Sequence, residues 1–264
     1  MVKLRTKLCL GINIVDTDYE TFINNTIKSK DQFNPINIMS INLTALKRYN
    51  MEFQLFVDRF DYITADGKGL VLFSRFLGEK IYNHLSIPVI CDKYIENYVQ
   101  KNKKVFLLGA TKKVNKKAME NLKLKFPTIQ ISGYHGYFNV EKMNHVLKAI
   151  IKFQPELVLV GISSPMKERV ILKISEGYNN SINVACGGYI DIVSGKTGKA
   201  PKLFHQTGME WLYRFYQEPK RMFVPMFINA FFSIFYILPI ALVKKYFSKE
   251  SPQVLEIMDR YNNR

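Results

Sequence analysis

The stretch "YITADGKGLVLFSRFLG", residues 62–78, joins two different local patterns. Its first residues are aromatic and β-branched, which is typical of a buried strand, and the residues after Gly69 have the apolar spacing of a helix. Asp66 and Gly67 lie between these patterns, so the sequence predicts a carboxylate at the carboxyl end of a strand. Ligands of α/β proteins bind at that edge of the sheet. From the residues alone, N-capping of the helix is the simpler role for Asp66.

Strand-like runs alternate with charged, periodic stretches along most of the chain. Such alternation is typical of βαβ units and predicts an α/β fold, with a Rossmann-like, mostly parallel sheet flanked by helices. Residues 9–15 are expected to form the first strand. The remaining strand-like runs are residues 36–42, 61–65, 104–110, 129–134, 156–162 and 182–188.

Three of these runs end in glycine and lead toward a helix, namely "VFLLGA", "LVLVGI" and "NVACGG". This arrangement directs backbone N–H groups and the helix dipole toward a bound phosphate. Glycine is also common at strand-to-helix turns for steric reasons, so both interpretations stay open. Neither the GxGxxG pattern nor the Walker lysine motif occurs in the sequence.

The composition indicates a folded, basic protein. The 264 residues are 47% apolar, which suffices for a sizeable core, and 38 Lys and Arg against 22 Asp and Glu give a formal charge of +16. Such a charge favours an anionic membrane surface, a phosphorylated ligand or a nucleic acid as partner. The three cysteines have no CxxC spacing. Neither a disulfide framework nor a zinc site is therefore expected, and a reducing cytoplasm fits.

An apolar segment, "MFVPMFINAFFSIFYILPIALV", occupies residues 222–243 and carries no charge. It is long enough for roughly 33 Å of helix, so a membrane-spanning helix is one interpretation. Pro225 and Pro239 are expected to interrupt it. The pattern therefore favours an interfacial or re-entrant helix pair.

The apolar segment also has a weakly polar face, because Asn229, Ser233 and Tyr236 recur at helical spacing. Basic residues flank both of its ends, which suits anionic lipid but picks no direction across a bilayer. A buried core helix or an oligomer contact is the alternative interpretation.

Two further stretches have competing interpretations. "GISSPMKE", residues 161–168, offers hydroxyl groups at a strand end, but helix initiation with Ser164 as N-cap and Pro165 in the first turn also explains it. Asp16 and Asp18 have the spacing of a DxD metal pair, but they precede a helical pattern and we interpret them as capping residues. No metal site is predicted.

Five motifs together resemble the WecG/TagA/CpsF glycosyltransferases, also called glycosyltransferase family 26. They occur in order across nearly the whole chain: "TADGKGLVLFSRFLG", "VFLLGATKKVNKKAMENLKLKFPTIQISGYHGYF", "ELVLVGISSPMKE", "GGYIDIVSGKTGKAP" and "GMEWLYRFYQEPKR". The resemblance implies a metal-independent, inverting hexosyltransferase of the N-acetylmannosaminyltransferase type that needs no cofactor. Such an enzyme moves a sugar from a UDP-sugar to an undecaprenyl-diphosphate-linked sugar. The product serves a surface polysaccharide, such as capsule or exopolysaccharide, or a teichoic-acid linkage.

The resemblance also implies roles for individual residues. It places the catalytic base at Asp66, which takes the proton of the acceptor hydroxyl as that oxygen attacks the anomeric carbon. Ser40 stands where the family usually has threonine, and its hydroxyl is expected to bond the transferring sugar or the leaving phosphate. The implied nucleotide-sugar site comprises Asn42, Gly67, Gly109, Gly136, Tyr137, Phe138, Gly161, Pro165, Lys167, Glu168, Gly187, Gly188 and Asp191.

Two departures from the family pattern bear on the donor sugar. Lys167 stands where the family has glutamine, which puts a point charge beside the implied sugar site. The family also commonly carries an arginine in the stretch that follows the first helix of its pattern. This sequence has no arginine between Arg75 and Arg169. His84, otherwise expected on a solvated face, and Lys93 are the candidates to replace it.

The resemblance implies two parts of the chain, an α/β catalytic domain over residues 1–200 and a C-terminal helical appendage over residues 201–264. The apolar segment of the appendage is expected to bind the cytoplasmic face of the bacterial membrane, as in a peripheral or monotopic protein. The implied ligands of the lipid diphosphate are Arg214, Lys220 and Arg221. The expected partners are the donor, the lipid-linked acceptor and the membrane, and relatives of this kind also form homo-oligomers.

Two other classes of function stay open. A nucleic-acid-binding module explains the positive charge and the lysine-rich stretches "KNKK" and "KKVNKK", although those lysines fit solvated helix faces. The resemblance implies no nucleic-acid partner. A catalytically inactive membrane scaffold is motivated by Lys167 and by the missing arginine.

Overall fold

The computed structural model describes residues 4–30, 34–138, 143–198, 201, 204 and 210–263. Within them the chain forms one eight-stranded sheet with helices on both faces, as the alternating pattern predicts. The strands are β1 (Thr6–Cys9), β2 (Ile12–Val15), β3 (Ile36–Ile41), β4 (Tyr62–Ala65), β5 (Lys104–Gly109), β6 (Gln130–Tyr134), β7 (Leu157–Gly161) and β8 (Ile182–Ala185).

The strand order brings the carboxyl ends of β4, β3 and β8 next to one another. Neighbouring strands follow the order β1-β2-β4-β3-β8-β7-β5-β6, and every pair is parallel except β1 with β2. The central strands are buried on both faces, which explains why they read as continuous apolar runs. Side chains that follow these three strands therefore share one edge of the sheet.

The prediction of a single strand over residues 9–15 is wrong, because this run contains the turn of a hairpin between β1 and β2. Leu10 and Gly11 have positive φ angles of 51° and 83°. Two successive positive φ angles make a tight turn whose twist matches that of antiparallel strands. Apolar residues continue on both sides of a single glycine, so the sequence pattern conceals the turn.

Two groups of helices cover the two faces of the sheet and make a three-layered fold. The helices are α1 (Tyr19–Lys30), α2 (Met51–Arg59), α3 (Lys68–Phe76), α4 (Ile87–Gln100), α5 (Lys112–Lys125), α6 (Met143–Phe153), α7 (Met166–Gly177) and α8 (Tyr189–Val193). One buried apolar cluster includes α1, α4, α5 and α8, and the other includes α2, α3, α6 and α7. A 3₁₀ helix, Leu43–Arg48, follows β3.

Within the described residues 210–263, three helices follow: α9 (Glu210–Gln217), α10 (residues 219–246) and α11 (Val254–Asn262). α10 is continuous, with two π-helical segments, Val224–Asn229 and Ser233–Ile237, between its α-helical segments. The prediction that prolines interrupt this region and divide it into a helix pair is wrong. Pro225 lies within the first π-helical segment, and Pro239 lies just after the second one. The wider π turns accommodate the missing proline N–H groups and let the helix continue.

One stripe of α10 packs on the α/β part of the chain, and it includes most of the weakly polar face seen in the sequence. Asn229, Ser233, Ile237 and Ala241 are buried. The Ser233 hydroxyl donates a hydrogen bond of 2.8 Å to the Leu43 carbonyl. The polar side chains of this stripe therefore contact protein.

The opposite side of α10 exposes a row of aromatic side chains. Phe227, Phe231 and Phe235 are all exposed, and their rings stack at centroid distances of 6.4 and 5.6 Å. Among the described residues, Met226–Tyr246 is the one stretch that is long and apolar enough to cross a bilayer by length and composition.

Ion pairs hold the end of α10 on the rest of the protein. Lys245 Nζ lies 3.4 Å from Glu79 Oε1, in the loop that follows α3. Lys244 is buried and pairs with Glu256 of α11. The pair of Lys245 therefore fixes the end of the apolar helix to the α/β part, and the pair of Lys244 fixes it to α11.

Candidate active site

The adjacent ends of β3 and β4 place predicted site residues side by side. Ser40 lies opposite Thr64 in the parallel pairing of these strands. The Asp66 N–H donates a hydrogen bond of 2.9 Å to the Ile41 carbonyl. The sheet itself therefore fixes the backbone of Asp66.

The N-cap of α3 is Gly67, so the prediction that Asp66 caps this helix is wrong. Gly67 has a φ angle of 92°, a conformation that favours glycine. No heavy atom of the described residues lies within 4 Å of the position that a Gly67 Cβ would take. Asp66 thus lies one residue outside the cap, with open space beside it.

A polar cavity of about 180 Å³ opens over these strand ends. Three cationic side chains and two carboxylates line it, together with hydroxyl and amide groups. The polar and glycine residues of this lining are Ser40, Asn42, Arg48, Asp66, Ser164, Lys167, Glu168, Gly187, Gly188 and Arg214. A concave site with convergent groups of both charges suits a ligand that carries phosphate and hydroxyl groups.

Glu168 is the most buried charged residue of the polar cavity. Its side chain is 1% exposed, and its Oε1 lies 3.4 Å from Lys167 Nζ. Glu168 Oε2 has no hydrogen-bond partner among the described residues. A buried carboxylate oxygen without a partner is costly, so this atom is a favourable acceptor for a hydroxyl or N–H group of a ligand.

An apolar cavity of about 360 Å³ adjoins the polar one. Its walls come from the start of the 3₁₀ helix, the start of α3, the loop before α4, and from α9 and α10. They include Leu43, Lys68, Leu70, His84, Ser86, Trp211, Met222, Met226, Phe231 and Ile234. Asn42, Asp66 and Arg214 line both cavities. Asp66 therefore stands between a polar and an apolar compartment, with a guanidinium group that borders both.

Asn42 is oriented by the 3₁₀ helix that it caps. Its Oδ1 accepts hydrogen bonds from the Ala45 N–H at 3.0 Å and from the Thr44 hydroxyl at 2.8 Å. Both bonds use the side-chain carbonyl oxygen. The side-chain NH₂ is therefore the group through which Asn42 can donate to a ligand.

Burial keeps the thiol and phenol groups behind the polar cavity neutral. It raises the pKa of Cys91 and the pKa of Tyr189 well above their ordinary values. The Tyr189 hydroxyl donates a hydrogen bond of 2.7 Å to Asp92 Oδ1. The charge of the cavity lining therefore comes from its Arg, Lys, Asp and Glu side chains.

Comparison with known proteins identifies the family of this α/β fold. The sequence matches the model of the glycosyl transferase WecG/TagA/CpsF family over residues 8–247. The chain belongs to this family of glycosyltransferases. An N-acetylglucosaminyldiphosphoundecaprenol N-acetyl-beta-D-mannosaminyltransferase of Bacillus spizizenii is 27% identical over 237 residues, which cover 86% of this chain and 91% of the relative. A protein of the same name from Staphylococcus aureus strain MW2 is 30% identical over 166 residues, which cover 63% of this chain and 65% of the relative.

In this WecG/TagA/CpsF glycosyltransferase, the glycines predicted to hold the donor fall into two groups. A Cβ on Gly109 would lie 2.3 Å from the Gly161 carbonyl oxygen, and one on Gly136 would lie 2.9 Å from the Gly109 Cα. A Cβ on Gly161 would lie 2.9 Å from the Gly187 carbonyl oxygen. Gly109, Gly136 and Gly161 therefore allow the strand-end loops to pack closely. Gly187 and Gly188 have no heavy atom of the described residues within 4 Å of their Cβ positions, so they leave room for a ligand.

Three other predicted donor residues of the transferase are absent from the linings of both cavities. Asp191 pairs with Lys196 at 3.0 Å. Tyr137 is largely exposed, and Phe138 packs edge-on against Tyr134. The structure therefore gives these residues surface or packing contacts and does not bring them to Asp66.

The prediction of Ser164 as the N-cap of α7 is wrong by one position. α7 begins at Met166, and its N-cap is Pro165. The Lys167 N–H donates a hydrogen bond of 3.1 Å to the Ser163 carbonyl, so a backbone oxygen takes the place of the expected serine side chain. Pro165 lines a neighbouring cavity of about 200 Å³, and Ser164 lines this cavity and the polar one.

The residues predicted to bind the lipid diphosphate differ in whether they line the cavities. Arg214 lines both cavities. Lys220 is exposed at the start of α10 and is absent from both linings. The side chain of Arg221 lies outside the described part of the chain.

Sequence reasoning missed Arg48, Ser86 and Trp211, and it misplaced His84. His84 is partly buried and lines the apolar cavity, so the prediction of a solvated face is wrong. Lys93, the other candidate to replace the missing arginine, is absent from both linings. No local pattern marks Arg48, Ser86 or His84, because these residues reach the site from a 3₁₀ helix and a loop. Trp211, the single tryptophan of the chain, lies in the motif "GMEWLYRFYQEPKR", but the motif was used to name Arg214 and not Trp211.

Asp16 and Asp18 act as structural acceptors. Asp18 Oδ1 accepts from the Thr21 N–H at 2.8 Å, which confirms its capping role, and this bond holds the pKa of Asp18 below its ordinary value. Asp16 instead holds the loop after α3, since its Oδ1 accepts from the N–H groups of Tyr82 at 3.0 Å and Asn83 at 2.9 Å. Among the described residues, no group of three or more His, Cys, Asp and Glu side chains is placed to hold a metal ion.

Proposed function

We propose that this glycosyltransferase moves a hexose of the N-acetylmannosamine type from UDP to the sugar of an undecaprenyl-diphosphate-linked acceptor, with inversion at the anomeric carbon. The names of the relatives support the acceptor and the class of sugar. The observation that carries the proposal is that Asp66 lines both a charged cavity and an apolar cavity. A transferase that joins a water-soluble donor to a lipid-linked acceptor requires a catalytic group at such a junction.

The polar cavity supports binding of the donor. Arg48, Lys167 and Arg214 supply positive charge for a diphosphate. The open position beside Gly187 lets a phosphate approach the backbone. Glu168 Oε2 supplies an acceptor for a hydroxyl or an acetamido N–H group of the sugar.

Asp66 is the general base of the proposed reaction. The acceptor hydroxyl gives its proton to the Asp66 carboxylate while its oxygen forms a bond to the anomeric carbon. The bond from that carbon to the diphosphate breaks on the opposite face, so the configuration inverts and UDP leaves with the electron pair. Arg214 and Lys167 stabilise the charge that develops on the departing diphosphate. Ser40 and Asn42 hold the transferring sugar at the strand ends.

The exposed face of α10 supports attachment to the cytoplasmic leaflet. Phe227, Phe231 and Phe235 offer a stacked aromatic surface, whereas the opposite stripe, including Ser233 and Ala241, is buried against the α/β part. A helix that packs one side on a water-soluble domain suits the plane of the membrane interface better than a path across the bilayer. The apolar cavity beside α10 then opens where a lipid-linked acceptor resides.

The division into a catalytic domain, residues 1–200, and a membrane-binding appendage, residues 201–264, is part of this proposal. The appendage supplies Trp211, Arg214 and Met226 to the apolar cavity. A catalytic domain alone therefore lacks one wall of the acceptor site.

Release of UDP tests the proposed function. The purified protein is mixed with a panel of UDP-sugars and a short-chain GlcNAc-diphosphoryl lipid, and free UDP is quantified. We expect acceptor-dependent release with UDP-N-acetylmannosamine or a related hexose donor. Absence of release and of UDP affinity would contradict the function and favour an inactive membrane scaffold. Steep salt-dependent retention on DNA or RNA, with no UDP affinity, would favour a nucleic-acid-binding module.

A further inference from the structure

The outward side of α3 combines apolar and cationic side chains. Leu72 and Phe76 are four residues apart on this side and are 54% and 58% exposed. Basic residues lie at the same side of the helix, and the loop after α3 continues the pattern. We name as the α3 face the exposed residues Lys68, Leu72, Arg75, Phe76, Lys80 and Tyr82.

α3 approaches α10 near both of its ends. At its start, Lys68 shares the wall of the apolar cavity with Met226 and Ile234 of α10. Just after its end, a Cβ on Gly78 would lie 3.1 Å from the Tyr246 hydroxyl. The start of α3 is therefore near the first half of α10, and the loop after α3 is near its last turn. Both helices pack on the same buried apolar cluster, so their exposed side chains lie on the same side of the molecule.

The charge of the α3 face is uniformly positive. Between Gly67 and Cys91 the sequence has a single acidic residue, Glu79. Glu79 is turned toward α10, where it pairs with Lys245 at 3.4 Å. Cations interleaved with exposed apolar side chains match an anionic lipid surface, because basic groups bind the headgroups while leucine and phenylalanine enter the boundary with the acyl chains.

We propose that the α3 face is a second membrane-binding surface, which binds anionic phospholipid beside α10. This inference rests on the proposed attachment of α10 to the membrane. α3 begins two residues after Asp66, so its docking sets the height of the catalytic carboxylate relative to the headgroups. The apolar cavity between α3 and α10 then faces the bilayer, and a lipid-linked sugar reaches Asp66 without leaving the membrane.

Flotation of the full-length protein with vesicles tests the α3 face. The vesicles contain either phosphatidylcholine alone or phosphatidylcholine with phosphatidylglycerol. The double variant Leu72→Ser/Phe76→Ser is expected to lower partitioning onto both by roughly tenfold, because two half-exposed apolar side chains lose their burial in lipid. Arg75→Gln/Lys80→Gln is expected to lower partitioning by roughly tenfold on the anionic vesicles alone.

A matched control removes exposed apolar side chains from other helices. Leu124→Ser/Ile151→Ser changes exposed residues of α5 and α6 and is expected to keep native partitioning. UDP release with a short-chain acceptor in solution should stay at the native level in the α3 variants. Loss of vesicle binding without loss of this activity separates membrane docking from folding and chemistry.

The outcome for an α10 variant distinguishes failure of this inference from failure of the proposed function. Native vesicle binding by the α3 variants, with loss of binding by Phe227→Ser/Phe235→Ser, would overturn the α3 face and leave membrane attachment through α10 intact. Native binding by the α10 variant as well would overturn that attachment itself. Sedimentation gives a further check on the α3 face. If Leu72→Ser/Phe76→Ser forms a smaller oligomer than the native protein and binds vesicles as well as it does, the α3 face is a contact between copies of the chain. That result would overturn the inference.

Discussion

Replacing Lys167 by methionine should leave the Glu168 carboxylate without its charged neighbour. Lys167 Nζ lies 3.4 Å from Glu168 Oε1, in a pair whose side chains are 18% and 1% exposed. Removing one partner of a buried ion pair costs about 3–5 kcal/mol. Because Lys167 borders a cavity and keeps some solvent contact, we expect a smaller loss of unfolding free energy, about 2–3 kcal/mol. In a chain of this size, that loss lowers Tm by roughly 5–10 °C.

Urea unfolding of a double-mutant cycle measures this effect. Glu168→Gln in the Lys167→Met background removes the buried charge and should restore most of the lost stability, with a coupling energy of about 1–3 kcal/mol. Lys173→Met is the matched control, since its pair with Glu176 has side chains that are 54% and 51% exposed. It should change the unfolding free energy by less than about 1 kcal/mol. Native stability of Lys167→Met, or failure of the second change to rescue it, would refute the reasoning.

Contacts elsewhere in the chain predict three further outcomes. The hydrogen bond from Lys244 lowers the pKa of Glu256 from its ordinary value of 4.5. The contact therefore stabilises the fold above that pH, and the stabilisation is lost as the pH falls through the lower pKa of the folded state. Glu256→Gln should flatten the acid limb of a curve of Tm against pH. Gly109→Ala forces a Cβ to 2.3 Å from a carbonyl oxygen and should lower the free energy of unfolding in urea by about 3 kcal/mol or more. Gly188→Ala meets open space, so it should lower that free energy by less than about 1 kcal/mol. The same variant should weaken UDP binding measured by calorimetry. Arg214→Gln should lower kcat for UDP release by roughly 100-fold, and native turnover would remove this guanidinium from the stabilisation of the leaving group.

The strands and the position of Asp66 were predictable because both depend on local patterns. Buried parallel strands produce apolar runs that end at a glycine or a polar residue, and β3 to β8 follow those runs closely. The hairpin of β1 and β2 was not predictable in this way, since its turn has a single glycine within an apolar run. The continuity of α10 also escaped prediction, because the π-helical turns that accommodate its prolines have no sequence signature.

The candidate site was predictable where the family motifs carry it. Asn42, Glu168 and Arg214 were named from the family resemblance, and the structure brings them to one place. Arg48 was missed and His84 was expected on a solvated face, because their contribution depends on how a 3₁₀ helix and a loop fold over Asp66. The glycine motifs did not distinguish glycines that allow close backbone packing from glycines that leave room for a ligand. The atoms around each Cβ position, which only the structure shows, are needed to separate the two roles.

The central claim is that Asp66 takes the proton of the acceptor hydroxyl, and single-turnover transfer by Asp66→Asn tests it most directly. Asparagine keeps the shape of the side chain but cannot accept that proton. We expect unchanged affinity for the UDP-sugar and transfer to the GlcNAc-diphosphoryl lipid slowed by roughly 100-fold to 10,000-fold. The matched control Asp58→Asn, which changes an exposed carboxylate of α2 outside both cavities, should transfer at the native rate. Transfer by Asp66→Asn at the native rate would contradict the claim.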